Sequence, residues 1–130
     1  MKIMVCYDAA DDNSAVLEKA TARAKESNAG IHLVSVLIGD DAGTLDSIEP
    51  AKKELGAAQE KFQANGISCE TKVEFGTTAA GESIVEYAVE KGIDEIIIGI
   101  QRKSKVGKFL FGSTAQHVIL EAPCPVLTVK

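Results

Sequence analysis

Five short apolar runs, each parted from the next by a segment of helical period, constrain this chain of 130 residues more than any other feature. Runs of that length and spacing describe βαβ units, in which a parallel sheet is covered by its own crossover helices. The strands read as "KIMVCY" (residues 2–7), "IHLVSVLI" (31–38), "SCETKVEF" (68–75), "DEIIIG" (94–99) and "PVLTVK" (125–130). The helices read as residues 13–27, 49–65, 80–91 and 113–122, the first with Val16 or Leu17, Ala15, Ala20 and Ala24 facing inward and the second with Pro50 in its first turn. "DEIIIG" is the candidate for the centre of the sheet, and "SCETKVEF", which alternates, belongs at or near an edge. Gly30, Gly66 and Gly92 each lie between a helical segment and a strand, where a left-handed C-terminal cap is expected. The expectation is one α/β domain over residues 1–130: an open five-stranded parallel sheet of order 3-2-1-4-5 with helices on both faces.

Composition narrows the function. A net charge of −5 argues against general nucleic-acid binding, which needs a basic surface. Cys6, Cys69 and Cys124 are odd in number and widely spaced, which fits reduced thiols in a cytoplasmic protein rather than a disulfide frame or a zinc site. The apolar runs are too short to span a bilayer, and "MKIMVCYD" ends in an aspartate without a cleavage site, so neither a membrane anchor nor a secretory signal is expected. His32 and His117 have no third partner in the pattern that would make a metal site.

In open α/β sheets ligands bind beyond the carboxyl ends of the strands, where strand order reverses. No Walker A loop is present, because Gly107-Lys108 is followed by Phe109 and the position of the first glycine holds Arg102. No GxGxxG follows the first strand, no aspartate ends the third as a phosphoacceptor domain requires, and "DAADDNS" is not a flavin phosphate loop. The loop after the fourth strand, "IQRKSKVGKFLFG", is different: it is long, it carries Arg102, Lys103, Lys105 and Lys108, and it runs into "GST" at a helix start. Exposed amides there, the positive end of the helix dipole, Gly112, and the hydroxyls of Ser113 and Thr114 suit an anion. The same residues admit a plainer account, with Ser113 and Gln116 as a capping box and the basic side chains simply solvated.

The spacing Gly99-x2-Arg102-x9-Gly112-Ser113, the closing "APCPVLTVK" and Asp8 at the end of the first strand together resemble the universal stress protein family along the whole chain. That resemblance implies a Rossmann-like fold of the adenine nucleotide alpha hydrolase type. It also implies ATP across the carboxyl edge of the sheet, and Asp8, Asp11 and Asp12 are the acids that could help hold a Mg2+ ion on its phosphates. Carried over by position, Tyr7 and Asp8 would contact the adenosine and Val36 the adenine through its backbone. Gly99, Gly112, Ser113 and Thr114 would hold ribose and phosphates, with Arg102 beside them. Arg102 stands where the family pattern has glycine. A side chain at a positive φ costs about 1–2 kcal/mol, whereas a guanidinium–phosphate bond contributes about 1.5–3 kcal/mol; the two overlap, and the added cations favour retained binding.

The resemblance further implies a homodimer in which the last strand, Val126, Leu127, Thr128 and Val129, pairs with its copy, and a stress-response sensor or switch with little or no hydrolysis. The alternative is a nucleotide-free dimeric interaction module whose basic loop meets an acidic protein. A nucleotidyl-transfer enzyme fits least, since neither HIGH nor SGGxDS occurs.

Overall fold

The computed structural model describes residues 1–8, 12–38, 45–76, 79–100 and 112–130. Among these residues nine elements alternate: β1 (Lys2–Cys6), α1 (Ser14–Ser27), β2 (Gly30–Ile38), α2 (Leu45–Ala64), β3 (Cys69–Gly76), α3 (Ala80–Lys91), β4 (Glu95–Gly99), α4 (Ser113–Glu121) and β5 (Val126–Val129). The strands form one sheet of order β3-β2-β1-β4-β5, every neighbouring pair parallel.

Side chains along each strand alternate between two cores. Ile3, Val5, Ile31, Leu33 and Ile97 pack with Val16, Ala20, Leu55 and Phe62 from α1 and α2 on one face. Met4, Val34, Ile96 and Ile98 pack with Ile84, Tyr87, Ala115 and Val118 from α3 and α4 on the other. Strands covered on both faces need no polar side, which is why β1 and β4 read as unbroken apolar runs. Burying each of these aliphatic side chains contributes about 1.5–3 kcal/mol. The inward stripe of α1 is Val16, Ala20 and Ala24; Leu17 is half-buried and Ala15 exposed. On the α1 face, Glu95 at the start of β4 is buried and held by a fork from Arg23, Nε to Oε1 at 3.1 Å and Nη2 to Oε2 at 2.8 Å.

Several local expectations need correction. The middle strand is β1, not β4; β4 lies between β1 and β5 and is as apolar a run as β1, so run length cannot rank the two. Pro50 is not in a first turn, because α2 starts at Leu45 and the proline falls inside the helix, where it cannot donate to the carbonyl four residues back. Gly30 is no cap: it opens β2 opposite Lys2, and α1 is closed by Asn28 at φ 55°. The three left-handed residues among those described follow one pattern. After Asn28, Gly66 (φ 74°) and Gly92 (φ 64°) comes a buried apolar residue, Ala29, Ile67 or Ile93, whose N–H reaches back five positions, to Ala24, Phe62 and Ala88 respectively, at 3.0 Å each.

The α3–α4 pair is seated on Gly81, where an added Cβ would lie 2.9 Å from the Cβ of His117. The helices therefore meet with no room for a methyl group.

Gly92→Ala is expected to lower the unfolding free energy by about 1–2 kcal/mol, since its cost is the left-handed backbone and nothing lies within 4 Å of the new methyl. Gly30→Ala is expected to leave it nearly unchanged, its methyl meeting only the Ser68 carbonyl oxygen at 3.9 Å. Urea denaturation of both variants checks the pair.

Candidate functional site

A cavity of about 360 Å³ opens at the carboxyl ends of β1, β2 and β4, bordered by the first turns of α1, α3 and α4. It stands where the chain departs from β1 in opposite directions, the switch point of a doubly wound sheet. Tyr7, Asp8, Val36, Gly99, Gly112 and Thr114 all line it. Ser113 is exposed and does not. Arg102, Lys103, Lys105, Lys108 and Asp11 lie outside the described residues.

The β1–α1 turn is built from side chain to backbone. Asn13 accepts the Asp8 N–H on Oδ1 at 3.1 Å and donates Nδ2 to the Asp8 carbonyl oxygen at 2.6 Å. Asn13 occupies the N-cap position of α1 yet makes no capping bond, forgoing the roughly 1 kcal/mol such a cap contributes. Asp12 takes over, its Oδ1 accepting the Ser14 N–H at 2.9 Å and hydroxyl at 2.6 Å. Those two donors, the hydroxyl foremost, hold the Asp12 carboxyl below the usual range. Burial, with Glu54 adding, pushes the Tyr7 phenol up.

β2 outruns β1. Their pairing ends at Cys6 and Val34, with a last bond from the Tyr7 N–H to the Val34 oxygen at 2.8 Å. In a parallel strand the N–H and C=O of one residue point the same way and alternate residues repeat. Val36 therefore directs both groups to the β1 side, past the end of β1 and toward the cavity. Opposite, α4 begins at its N-cap Gly112 (φ −67°, ψ 149°), whose oxygen accepts the Gln116 N–H at 3.1 Å. Ser113 is the first helical residue, and the N-cap position belongs to Gly112, which has no side chain to cap with, so Ser113 is not the cap that the expected Ser113–Gln116 box requires. The first-turn amides of α4 have no partner within the helix, and Thr114 and Ala115 face the cavity. Gly99 closes the β4 side, where a Cβ would approach Val16 Cγ2 to 3.0 Å.

The Universal stress protein family model matches residues 1–130. The chain belongs to that family. It is 30% identical to a universal stress protein of Mycolicibacterium smegmatis over 128 residues, 98% of this chain and 96% of the relative. A universal stress protein structure from Archaeoglobus fulgidus superposes with a TM-score of 0.88 at 31% identity, covering 100% of this chain and 98% of that one. Another from the same organism, in complex with dAMP, gives 0.82 at 29%, with the same coverage.

The family's sequence pattern did not point to Asn13, Ser35, Leu37, Ala80 or Lys130, which also line the cavity. The one available signal was an asparagine just ahead of a helix. Cys6 is another lining residue, and burial pushes its thiol up to about 12, which leaves it protonated and unreactive near neutral pH. Cys6, Cys69 and Cys124 are all free thiols.

Neither histidine joins this site. His32 is buried, with Nδ1 2.8 Å from the Tyr87 hydroxyl and 3.5 Å from Glu70 Oε2. Among the described residues no three His, Cys, Asp or Glu side chains are grouped to hold a metal ion. Burial lowers the His32 pKa below 6.5; Glu70 opposes the shift while Lys2 and Lys91 add to it. The folded state thus prefers neutral imidazole, and below about pH 6.5 the unfolded chain takes up the proton more readily. The His32 contribution to stability is full above that pH and is lost as pH falls. Thermal melts between about pH 7.5 and pH 5 are expected to show a smaller fall in midpoint for His32→Asn than for the parent chain.

Proposed function

We propose that the cavity binds an adenine nucleotide, with ATP the expected form, and that binding rather than turnover is the output. The observation that carries this is the convergence of Asp8, the outward Val36 backbone and the N-terminus of α4, with glycine at its N-cap, on one cavity. Tyr7 and Asp8 would take the adenosine and Val36 the adenine. Gly99, Gly112, Thr114 and Ser113 would take ribose and phosphates, with Arg102 adding charge. A relative at 29% identity in complex with dAMP supports the adenine assignment. A Mg2+ ion would sit on the phosphates, which supply most of its oxygen ligands, with Asp8 and Asp12 the carboxylates at hand.

The chain is further proposed to act as a homodimer in the cytoplasm, as a stress-response switch. Among the described residues no helix is long and apolar enough to cross a membrane. The two sheet edges differ in kind. β3 carries Glu70, Lys72 and Glu74, charges that discourage pairing, whereas β5 is "VLTV" with none. The bonds from Ile96 N–H to the Pro125 oxygen and from Ile100 N–H to the Val129 oxygen turn residues 125, 127 and 129 toward β4. Val126 and Thr128 therefore offer their N–H and C=O groups outward.

Denaturing the purified protein is expected to release an adenine nucleotide, and titrating the stripped protein with ATP to give saturable heat. Gly112→Val is expected to abolish that heat while the sedimenting mass stays that of a dimer. Thr128→Pro removes an outward donor without touching the β4 pairing and is expected to give a monomer. No released nucleotide and no heat at about millimolar ATP, an affinity weaker than about −4 kcal/mol, would leave the nucleotide-free interaction module.

A further inference from the structure

We infer that the Ser35 hydroxyl is a ligand-binding group of the cavity, and that it meets the nucleoside half of the bound nucleotide rather than its phosphates. The inference rests on the nucleotide reading above and deepens it.

Four polar or charged side chains are buried among the described residues: Asn13, His32, Ser35 and Glu95. Three of them are served by the protein. Asn13 holds the Asp8 backbone, His32 meets the Tyr87 hydroxyl, and Glu95 takes the fork from Arg23. Ser35 is the exception. It is 3% exposed, and among the described residues its hydroxyl has no hydrogen-bond partner. Every described side-chain nitrogen or oxygen that is shut off from solvent does have one. The Ser35 oxygen is therefore not shut off, and it opens on the cavity that the residue lines. A buried hydroxyl with no partner is costly, so such groups are rare and call for a partner from outside the chain.

The strand gives its direction. Ile31 and Leu33 face α1 and α2, whereas Val34 and Val36 face α3 and α4, so Ser35 points to the α1 and α2 side. There it stands between Val73, its register partner in β3, and Tyr7, which follows the last β1–β2 pair of Cys6 and Val34. The first turn of α4 lies on the opposite face of the sheet, where Ala115 is packed. Phosphates held at that turn leave the Ser35 side to the nucleoside, beside Tyr7. The main chain of Val36 presents its polar groups in the plane of the sheet. The Ser35 hydroxyl stands out of that plane, one residue earlier, and takes a different atom of the ligand. A hydroxyl both donates and accepts, so it fits a ring nitrogen or a sugar hydroxyl. Water serves it while the cavity is empty; a ligand that fills the space has to replace that bond.

The test is calorimetry with adenosine and with ATP on the whole protein, for the parent, Ser35→Ala and Ser35→Cys, with melts of all three without ligand. Ser35→Ala is expected to weaken both ligands by the same factor, about five- to tenfold, because the lost bond belongs to the part they share. Its melting midpoint without ligand is expected to stay level or rise, since no bond inside the protein is removed. Ser35→Cys nearly keeps the volume but offers only a weak donor, and is expected to weaken both ligands likewise. Unchanged affinity in either variant overturns the inference. So does a loss confined to ATP, which puts the hydroxyl at the phosphates, and so does a lowered midpoint for Ser35→Ala, which marks a bond within the protein. A parent that binds ATP but gives no heat with adenosine also overturns it, while leaving nucleotide binding intact. A parent that binds neither removes the nucleotide reading itself and the inference with it.

Discussion

A parallel sheet has to be roofed on both faces, and the rest of this molecule depends on how that is done at β1. Ile3, Met4 and Val5 have no solvent exposure at all, the outer two facing α1 and α2 and the middle one facing α3 and α4. Crossovers between parallel strands are right-handed. Helices can therefore reach both faces only if the chain first moves one way from β1, to β2 and β3, and then returns past it to β4 and β5. The reversal parts the two halves at the carboxyl ends of β1 and β4. The cavity is the gap that results, so the same requirement that buries the hydrophobic core also opens the site.

Several of the polar groups at that gap belong to the main chain. β2 extends past its neighbour, α4 starts at a glycine, and the Asp8 backbone is held by a side chain that would otherwise have capped α1. Each feature sets polar groups at fixed places without flexible side chains of its own. The buried thiol of Cys6 adds no reactivity.

The fold was legible because strand and helix periods differ and because buried strands announce themselves by lacking polar positions. Gly66 and Gly92 were readable as caps, whereas Asn28 was hidden by Gly30, a more conspicuous residue two places later that proved to be strand. The feature common to all three caps is the buried apolar residue that follows, and it distinguishes Asn28-Ala29 from Gly30. The extra turn of α2 before Pro50 was missed because proline suggests a helix start. At the site, Tyr7, Asp8, Val36, Gly99, Gly112 and Thr114 were reachable from strand ends and family spacing. Asn13 was not, since its role depends on where the turn brings residue 8, which no local pattern encodes. Ser113 was placed on the lining by its spacing, but the helix begins one residue earlier than a cap at Ser113 would require.

The contact between Gly81 and His117 has a consequence for the walls of the cavity. Two helices that meet with no spare methyl cannot slide or spread without losing that seat, so α3 and α4 behave as one slab. Ala80, next to the seat, and Thr114, three residues ahead of it, both belong to the lining. The gauge of the opening on that side is thus set by a single missing carbon atom, like the jaw of a caliper locked at one width.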